Sequence, residues 1–558
     1  MRLSRRRSAA RMKKIFSPVT ALVVGVLCAV LVLWWSNRDR ADAETRRTAR
    51  AAQPGSNATP APATTALDPV TRSLLAALPT LLTRSGTRAK EALLAFKDDA
   101  TYRRFLARAQ KSGLTLLGQL DALRTVRVRY DKFSALQTDL LDHAVDYGAV
   151  SANYLMTIPG PPAKEDRANV DAVPFGNRAL EFLGVDPVAA ARATWGLGVT
   201  IAVLDTGITP DTTFGQGRLR SLDIGLGTLA GSGSEDGHGT AVAALAAGDA
   251  PDAPGVAPSA NLLSIRVTDA TGSSDLFTVA QAIVTAVDAG AKILNISLGG
   301  HATSPTLDAA IGYATAHGAV IVAAAGNDQA AQLAWPAADP RVISVGAIDA
   351  VGQQVSFSNS GAHLSLTAPG YGVQTAWLDG QRVTVDGTSV SSPLVAGALA
   401  AVMSQHPSLT APQAWQVLQR TATDAGPPGA DPDFGHGILN LGWAMSASDP
   451  ARVDTAISSH YYDAAGHQMD FVVQNRGAQP VAGLALTLDA NGATGTSVIP
   501  LLAAGESFVV KVPISSATLA TAGTMKFTTQ LVNPPGLIDQ VPTNNRKTSV
   551  LTAPGAGK

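Results

Sequence analysis

Three short segments of this 558-residue chain carry the residue types that nucleophilic acyl transfer needs. A hydroxyl is a weak nucleophile until an imidazole accepts its proton, and that imidazole needs a carboxylate to fix its tautomer. Asp205 closes an apolar run at 199–204 and is followed by Thr206-Gly207-Ile208. His238 stands in Gly237-His238-Gly239-Thr240, ahead of a small-residue run at 241–247. Ser389 stands in Gly387-Thr388-Ser389-Val390-Ser391-Ser392-Pro393, ahead of an apolar run at 394–403 that reads as a helix. Singly, each has a plain structural reading: a turn aspartate, a helix-entry histidine, a capping serine. Together they supply alcohol, base and carboxylate in small-residue surroundings. A fourth run, 320–325, ends in Gly326-Asn327, whose amide could join the Ser389 backbone N–H in donating to an oxyanion. A capped turn is the alternative for Asn327.

Elements that could position these groups lie between residues 173 and 446, where apolar runs at 199–204, 262–267, 293–298, 320–325 and 342–345 alternate with helical stretches. Apolar strands between helices predict a parallel sheet covered on both faces, with its site at the carboxyl ends of the strands.

Further motifs carry a resemblance. Gly255-Val256-Ala257-Pro258, Asn295-Ile296-Ser297-Leu298-Gly299, Ala324-Ala325-Gly326-Asn327 and Gly435-His436-Gly437-Ile438-Leu439-Asn440 appear in order with the three segments above. Residues 190–445 thus resemble the subtilisin family of serine proteases, whose triad runs Asp, His, Ser along the chain. Ala241 and Ala244 depart from the family's usual histidine motif, and Val390 and Ser391 from its serine motif. None of these removes a catalytic atom.

The resemblance implies a doubly wound α/β fold and acyl transfer by Ser389, His238 and Asp205, with Asn327 and the Ser389 amide at the oxyanion. It also implies protein or peptide substrates paired between Gly272-Ser273-Ser274 and Ser297-Leu298-Gly299, beside a pocket at Ala325, Gly326 and Ala334. Ala334 falls where the family often has glycine, which implies a shallower pocket and small or medium apolar residues at the cleaved position. Calcium is implied by the resemblance alone, and no acidic loop is assigned to it. A carboxyl-type serine peptidase would need an acid in place of His238. A catalytically idle peptide-binding scaffold is the rival from another class.

The rest of the chain implies export and maturation. Residues 1–14 carry seven cations and no acid, and the uncharged run 15–35 ends in Trp34-Trp35. This predicts a single-pass signal anchor in a bacterial-type cytoplasmic (inner) membrane, with the catalytic domain periplasmic or extracellular. A cleaved signal peptide is the alternative. Residues 36–90 read as a linker. The pattern at 91–159 predicts a small split β-α-β module ending in the run 154–159. By resemblance it is an inhibitory propeptide whose last run could fill the cleft; the alternative is a permanent interaction domain. Residues 160–172 read as a cleavable junction. Residues 450–552, with turns at Asn475-Arg476-Gly477, Asn491-Gly492 and Asn533-Pro534-Pro535-Gly536, predict a β-sandwich. Phe471-Val472-Val473-Gln474-Asn475-Arg476-Gly477, Leu502-Ala503-Ala504-Gly505-Glu506-Ser507 and Asn544-Asn545 resemble a CARDB-type immunoglobulin-like module, which could bind a surface ligand or serve as a passive stabilising appendage. The formal charge of +0 gives no sign of a nucleic-acid partner, and the single Cys28 excludes an intramolecular disulfide.

Overall fold

The computed structural model describes residues 77–159, 172–228, 236–269 and 271–553. The basic segment 1–14, the apolar run 15–35, most of the linker and all but residue 172 of the junction lie outside the described residues. No helix among the described residues is long and apolar enough to cross a membrane.

The first module runs β1 (Glu91–Phe96), α1 (Asp99–Arg108), β2 (Leu114–Leu120), β3 (Thr125–Tyr130), α2 (Phe133–Asp142) and β4 (Tyr147–Ser151). Its antiparallel sheet has the order β2-β3-β1-β4. Asp98 caps α1 by accepting from the Thr101 N–H, and Phe96, Phe105, Leu136 and Leu140 fill the core. Two expectations need correction. Residues 77–82, read above as linker, form a helix whose Leu78 and Leu82, one turn apart, are buried in that core. The sheet's last strand is β4, whereas β5 (Leu155–Thr157) leaves the sheet to pair elsewhere.

The central body contains β6 (Thr200–Asp205), β7 (Leu219–Leu222), α3 (His238–Ala247), β8 (Asn261–Arg266), β9 (Ser273–Asp275) and α4 (Leu276–Asp288). It continues with β10 (Ile293–Ile296), α5 (Pro305–Ala316), β11 (Val320–Ala324), β12 (Ile343–Ile348), β13 (Leu366–Pro369) and α6 (Thr388–Gln405). Seven parallel strands form one sheet in the order β13-β12-β11-β10-β6-β8-β7. Successive side chains of a strand point to opposite faces, so each inner strand feeds two cores. Ile201 and Val203 pack with α3 and α6, while Ala202 and Leu204 pack with α4 and α5. Both faces of β6 being covered is why its sequence is a continuous apolar run rather than an alternating one. The strand order reverses beside β6, which opens a crevice at its carboxyl end.

The tail is two antiparallel sheets. Thr455–Asp463, Gln468–Asn475 and Ser507–Pro513 form one; Ala493–Val498, Ala485–Ala490, Thr524–Val532 and Arg546–Thr552 form the other. Ile457 and Phe471 from the first meet Leu486 and Phe527 from the second. Asn491-Gly492, both at positive φ, make the two-residue hairpin that the sequence signals. Arg476 joins the tail to the central body: it donates to the Thr423 hydroxyl at 3.1 Å and lies 5.3 Å over the Trp443 ring. Burial lowers its pKa to about 10.

Candidate active site

Asp205 ends strand β6, which is buried from Ile201 onward, and its side chain is itself inaccessible. Its Oδ1 accepts from the Thr206 N–H at 2.8 Å and lies 2.8 Å from His238 Nδ1. A carboxylate only accepts, so this contact assigns the proton to Nδ1 and leaves Nε2 as the basic nitrogen. His238 is the first residue of α3, and the helix reaches Asp205 because Gly239 lacks a side chain. A Cβ there would stand 2.3 Å from the Gly207 carbonyl oxygen, while the Gly239 N–H donates to Thr206 Oγ1 at 2.9 Å. Gly237 lies flat under the Trp377 indole, which a Cβ would meet at 2.2 Å.

Ser389 lies in the first turn of α6, which begins at Thr388 and carries Pro393 within it. The helix expected from 394 therefore starts six residues earlier. Pro393, the sixth residue of the helix, has no N–H to offer the Ser389 carbonyl, which accepts from Ser297 Oγ at 3.1 Å instead. Before the helix, Gly387 has φ +140°. A Cβ at Gly387 would stand 3.0 Å from Asn327 Nδ2, 3.1 Å from Ser389 Oγ and 3.7 Å from the Ser389 nitrogen. Three polar atoms thus face one small volume that only glycine leaves open. Asn327 arrives from the end of β11. Its Oδ1 accepts from the Thr388 N–H at 3.0 Å and the Thr388 hydroxyl at 2.9 Å, which fixes the amide's orientation. Asn327 Nδ2 is buried without a hydrogen-bond partner among the described residues. Such a donor costs about 1–3 kcal/mol. At a reactive centre the same cost pre-aims a donor at charge that forms only during reaction.

The two expected substrate edges hold a peptide supplied by the chain itself. Thr157, Met156 and Leu155 of β5 pair antiparallel with Ser273, Ser274 and Asp275 of β9. On the other side, the Thr157 N–H donates to the Gly299 carbonyl at 2.9 Å and the Gly299 N–H returns to Thr157 O at 3.0 Å. The Ile158 N–H donates to the Gly272 carbonyl at 3.2 Å. Met156 and Ile158 are buried in the core that also holds Leu276 and Leu298. Three of the expected contact residues turn their side chains to the framework. Ser274 Oγ donates to Val267 O, Ser297 Oγ donates to Ser389 O, and Leu298 is wholly buried. The Ala334 N–H donates to Ala325 O at 2.8 Å. Its Cβ would be 2.9 Å from a Cβ on Gly299 and 3.2 Å from one on Gly326, so this methyl occupies the space between the two glycines.

Residues not singled out by sequence complete the arrangement. Thr388 orients Asn327. Asn359 Oδ1 accepts from the Asp328 and Ala330 N–H groups at 2.9 and 3.0 Å and shapes the turn after Asn327. Thr388 lies inside the serine motif but carried no chemical signal of its own; Asn359, in a short polar stretch, carried none either. Arg127 of the first module binds Glu91 at 2.8 Å and Asp275 at 3.3 Å, and Arg88 binds Asp275 at 3.1 Å, beside β9.

Comparison with known proteins adds to this geometry. The sequence signature of the subtilase family matches residues 196–437. Thermostable alkaline protease of Halalkalibacterium halodurans is 36% identical over 293 residues, covering 51% of this chain and 78% of that protein. Subtilisin Savinase of Lederbergia lenta is 37% identical over 276 residues, covering 48% of this chain and 97% of that protein. Among solved structures, fervidolysin from Fervidobacterium pennivorans superposes with a TM-score of 0.54 at 20% identity, covering 84% of this chain and 77% of its own. The epidermin leader peptide processing serine protease of Staphylococcus aureus gives 0.53 at 21% identity, over 64% of this chain and 98% of its own. Both likenesses concern the fold.

Proposed function

The chain belongs to the subtilase family and is a subtilisin-like serine endopeptidase, and on that premise we propose that Ser389, His238 and Asp205 are its catalytic triad. The observation that carries this reading is the single volume beside Gly387, faced by Ser389 Oγ, the Ser389 nitrogen and Asn327 Nδ2. Ser389 Oγ attacks the peptide carbonyl while His238 takes its proton; His238 then protonates the departing amine, and water hydrolyses the acyl-enzyme by the reverse relay. Asp205 holds the imidazole in this orientation. Asn327 Nδ2 and the Ser389 N–H bind the oxyanion. Ser389→Ala is expected to abolish peptidase turnover and fluorophosphonate labelling while leaving the thermal transition within a few degrees. Labelling that persists in this variant would reassign the nucleophile. An unlabelled parent chain, freed of residues 91–159, would favour the idle scaffold.

The same reading makes the enzyme a zymogen. Residues 91–159 serve as its inhibitory propeptide, supported by β5 lying as a third strand between β9 and Gly299. An extended peptide added this way gains affinity largely through main-chain hydrogen bonds. A cut between 160 and 172 would release the peptidase, and the mass of the mature chain reads that position. Ala334 narrows the neighbouring pocket and supports small or medium apolar residues at the cleaved position; a strong Arg or Lys preference in a substrate library would overturn this. The cation-rich segment 1–14 and apolar run 15–35 support an anchor that places the catalytic domain outside the cytoplasm, where its protein substrates would be met. The tail fits a CARDB-type module for a surface ligand.

A further inference from the structure

The middle of the central sheet carries one amide in an otherwise apolar strand. β10 reads Ile293-Leu294-Asn295-Ile296 and is buried throughout. Asn295 stands between Val203 of β6 and Val322 of β11, two residues that pack with α3 and α6. Its Nδ2 donates to Ser297 Oγ at 2.9 Å, and its Oδ1 is buried with no hydrogen-bond partner among the described residues. Ser297 Oγ in turn lies 3.1 Å from the Ser389 carbonyl oxygen and 2.9 Å from Ser392 Oγ. Asn295, Ser297 and Ser392 are all wholly buried.

The direction of each hydrogen follows from what each group can do. A hydroxyl has one hydrogen and two acceptor sites, an amide nitrogen only donates, and a carbonyl oxygen only accepts. Ser297 therefore gives its single hydrogen to Ser389 O and accepts from both Asn295 Nδ2 and Ser392 Oγ, which fills every site it has. The Ser389 carbonyl needs that donor, because residue 393, where the helix would supply one, is proline. Turning the Asn295 amide over would set a carbonyl oxygen against Ser297 and draw its hydrogen away from Ser389. A leucine at 295 would fill the strand and leave no unpartnered oxygen, so packing does not account for the amide. The Ser389 N–H and Oγ face the volume beside Gly387. Once its carbonyl is pinned, the residue cannot turn, and a shift of about 1 Å at a reacting atom can cost about 100-fold in rate.

We propose that Ser297 is a positioning residue for the nucleophile: its hydroxyl, aimed by Asn295 and Ser392, pins the Ser389 carbonyl and so fixes where Ser389 Oγ and N–H stand. This rests on the reading of Ser389 as the nucleophile. The test uses the full chain after its own maturation, with active sites counted by fluorophosphonate labelling and peptide hydrolysis expressed per labelled site. Ser297→Ala is expected to lower kcat roughly 10- to 100-fold with KM changed less than about twofold, since its hydroxyl is turned away from the substrate edge. Ser297→Cys, a weaker donor, should fall between the two. Asn295→Leu should lower kcat roughly three- to tenfold while the melting temperature holds or rises. The reverse pattern, a lower melting temperature with parental kcat, would overturn the proposal. Parental kcat per site in Ser297→Ala would overturn the positioning role alone, whereas a parent chain labelled elsewhere than Ser389 would overturn the nucleophile itself. Should Ser297→Ala leave no labelled sites, Asn295→Asp decides. Its protonated carboxyl donates to Ser297 and its ionised form accepts, so its kcat relative to the parent should fall as pH rises; a constant ratio would overturn the proposal.

Discussion

Asn327 owes its orientation to Thr388, which uses both its N–H and its hydroxyl to hold the amide oxygen. Asn327→Ala removes the donor itself and is expected to lower kcat roughly 100- to 1,000-fold with little change in KM. Thr388→Val keeps the donor but frees it to rotate, so a smaller loss in kcat is expected, again read by steady-state kinetics. These roles differ in how far they could be read from sequence. The chemistry-bearing residues stand in short motifs, and their types alone name the reaction. Thr388 gave no separate chemical signal, because a threonine beside a serine reads as a capping pair.

Most inner strands of the central sheet were legible in the sequence as apolar runs. β6, β8, β10, β11 and β12 are apolar on both faces and stand out, whereas the outer strands β7 and β13 were missed. β7, reading Leu-Arg-Ser-Leu, is exposed enough at the sheet edge to carry polar residues. β4 was missed likewise, being short and only partly buried. At this scale the docking of the first module on the central body is testable. Arg127 bridges Glu91 of its own sheet and Asp275, which is 2% exposed and caps α4. Arg127→Ala leaves that buried carboxylate with Arg88 as its remaining guanidinium partner, a loss of about 2–3 kcal/mol on the scale of broken buried pairs. In the Ser389→Ala chain this substitution is expected to expose residues 91–159 to limited proteolysis at several-fold lower protease concentration. Unchanged resistance would place the docking energy in the apolar contacts of Met156 and Ile158.

Across the whole molecule, Asp424, buried in the loop after the helix Ala411–Arg420, makes stability depend on pH. The folded-state pKa of about 6 exceeds the usual carboxyl value near 4, so the folded chain holds the extra proton between them. Stability should therefore fall as pH rises through that window, by about 2–3 kcal/mol. Asp431 and Asp433 in the loop and Tyr461 on the tail share this field. Denaturant midpoints measured from pH 4 to 7 give the comparison. The sandwich and the sheet were both foreseeable as separate folds, but their joint was not, because Arg476 sits in a turn signal and reads as solvated. Its burial over Trp443 has a consequence for reach. A tail on a slack tether would sweep a wide arc around whatever it grips, and every bond within that arc would be open to attack. Clamped as it is, the tail fixes the bearing of the blade, so a gripped polymer would be cut at a set offset from the handhold.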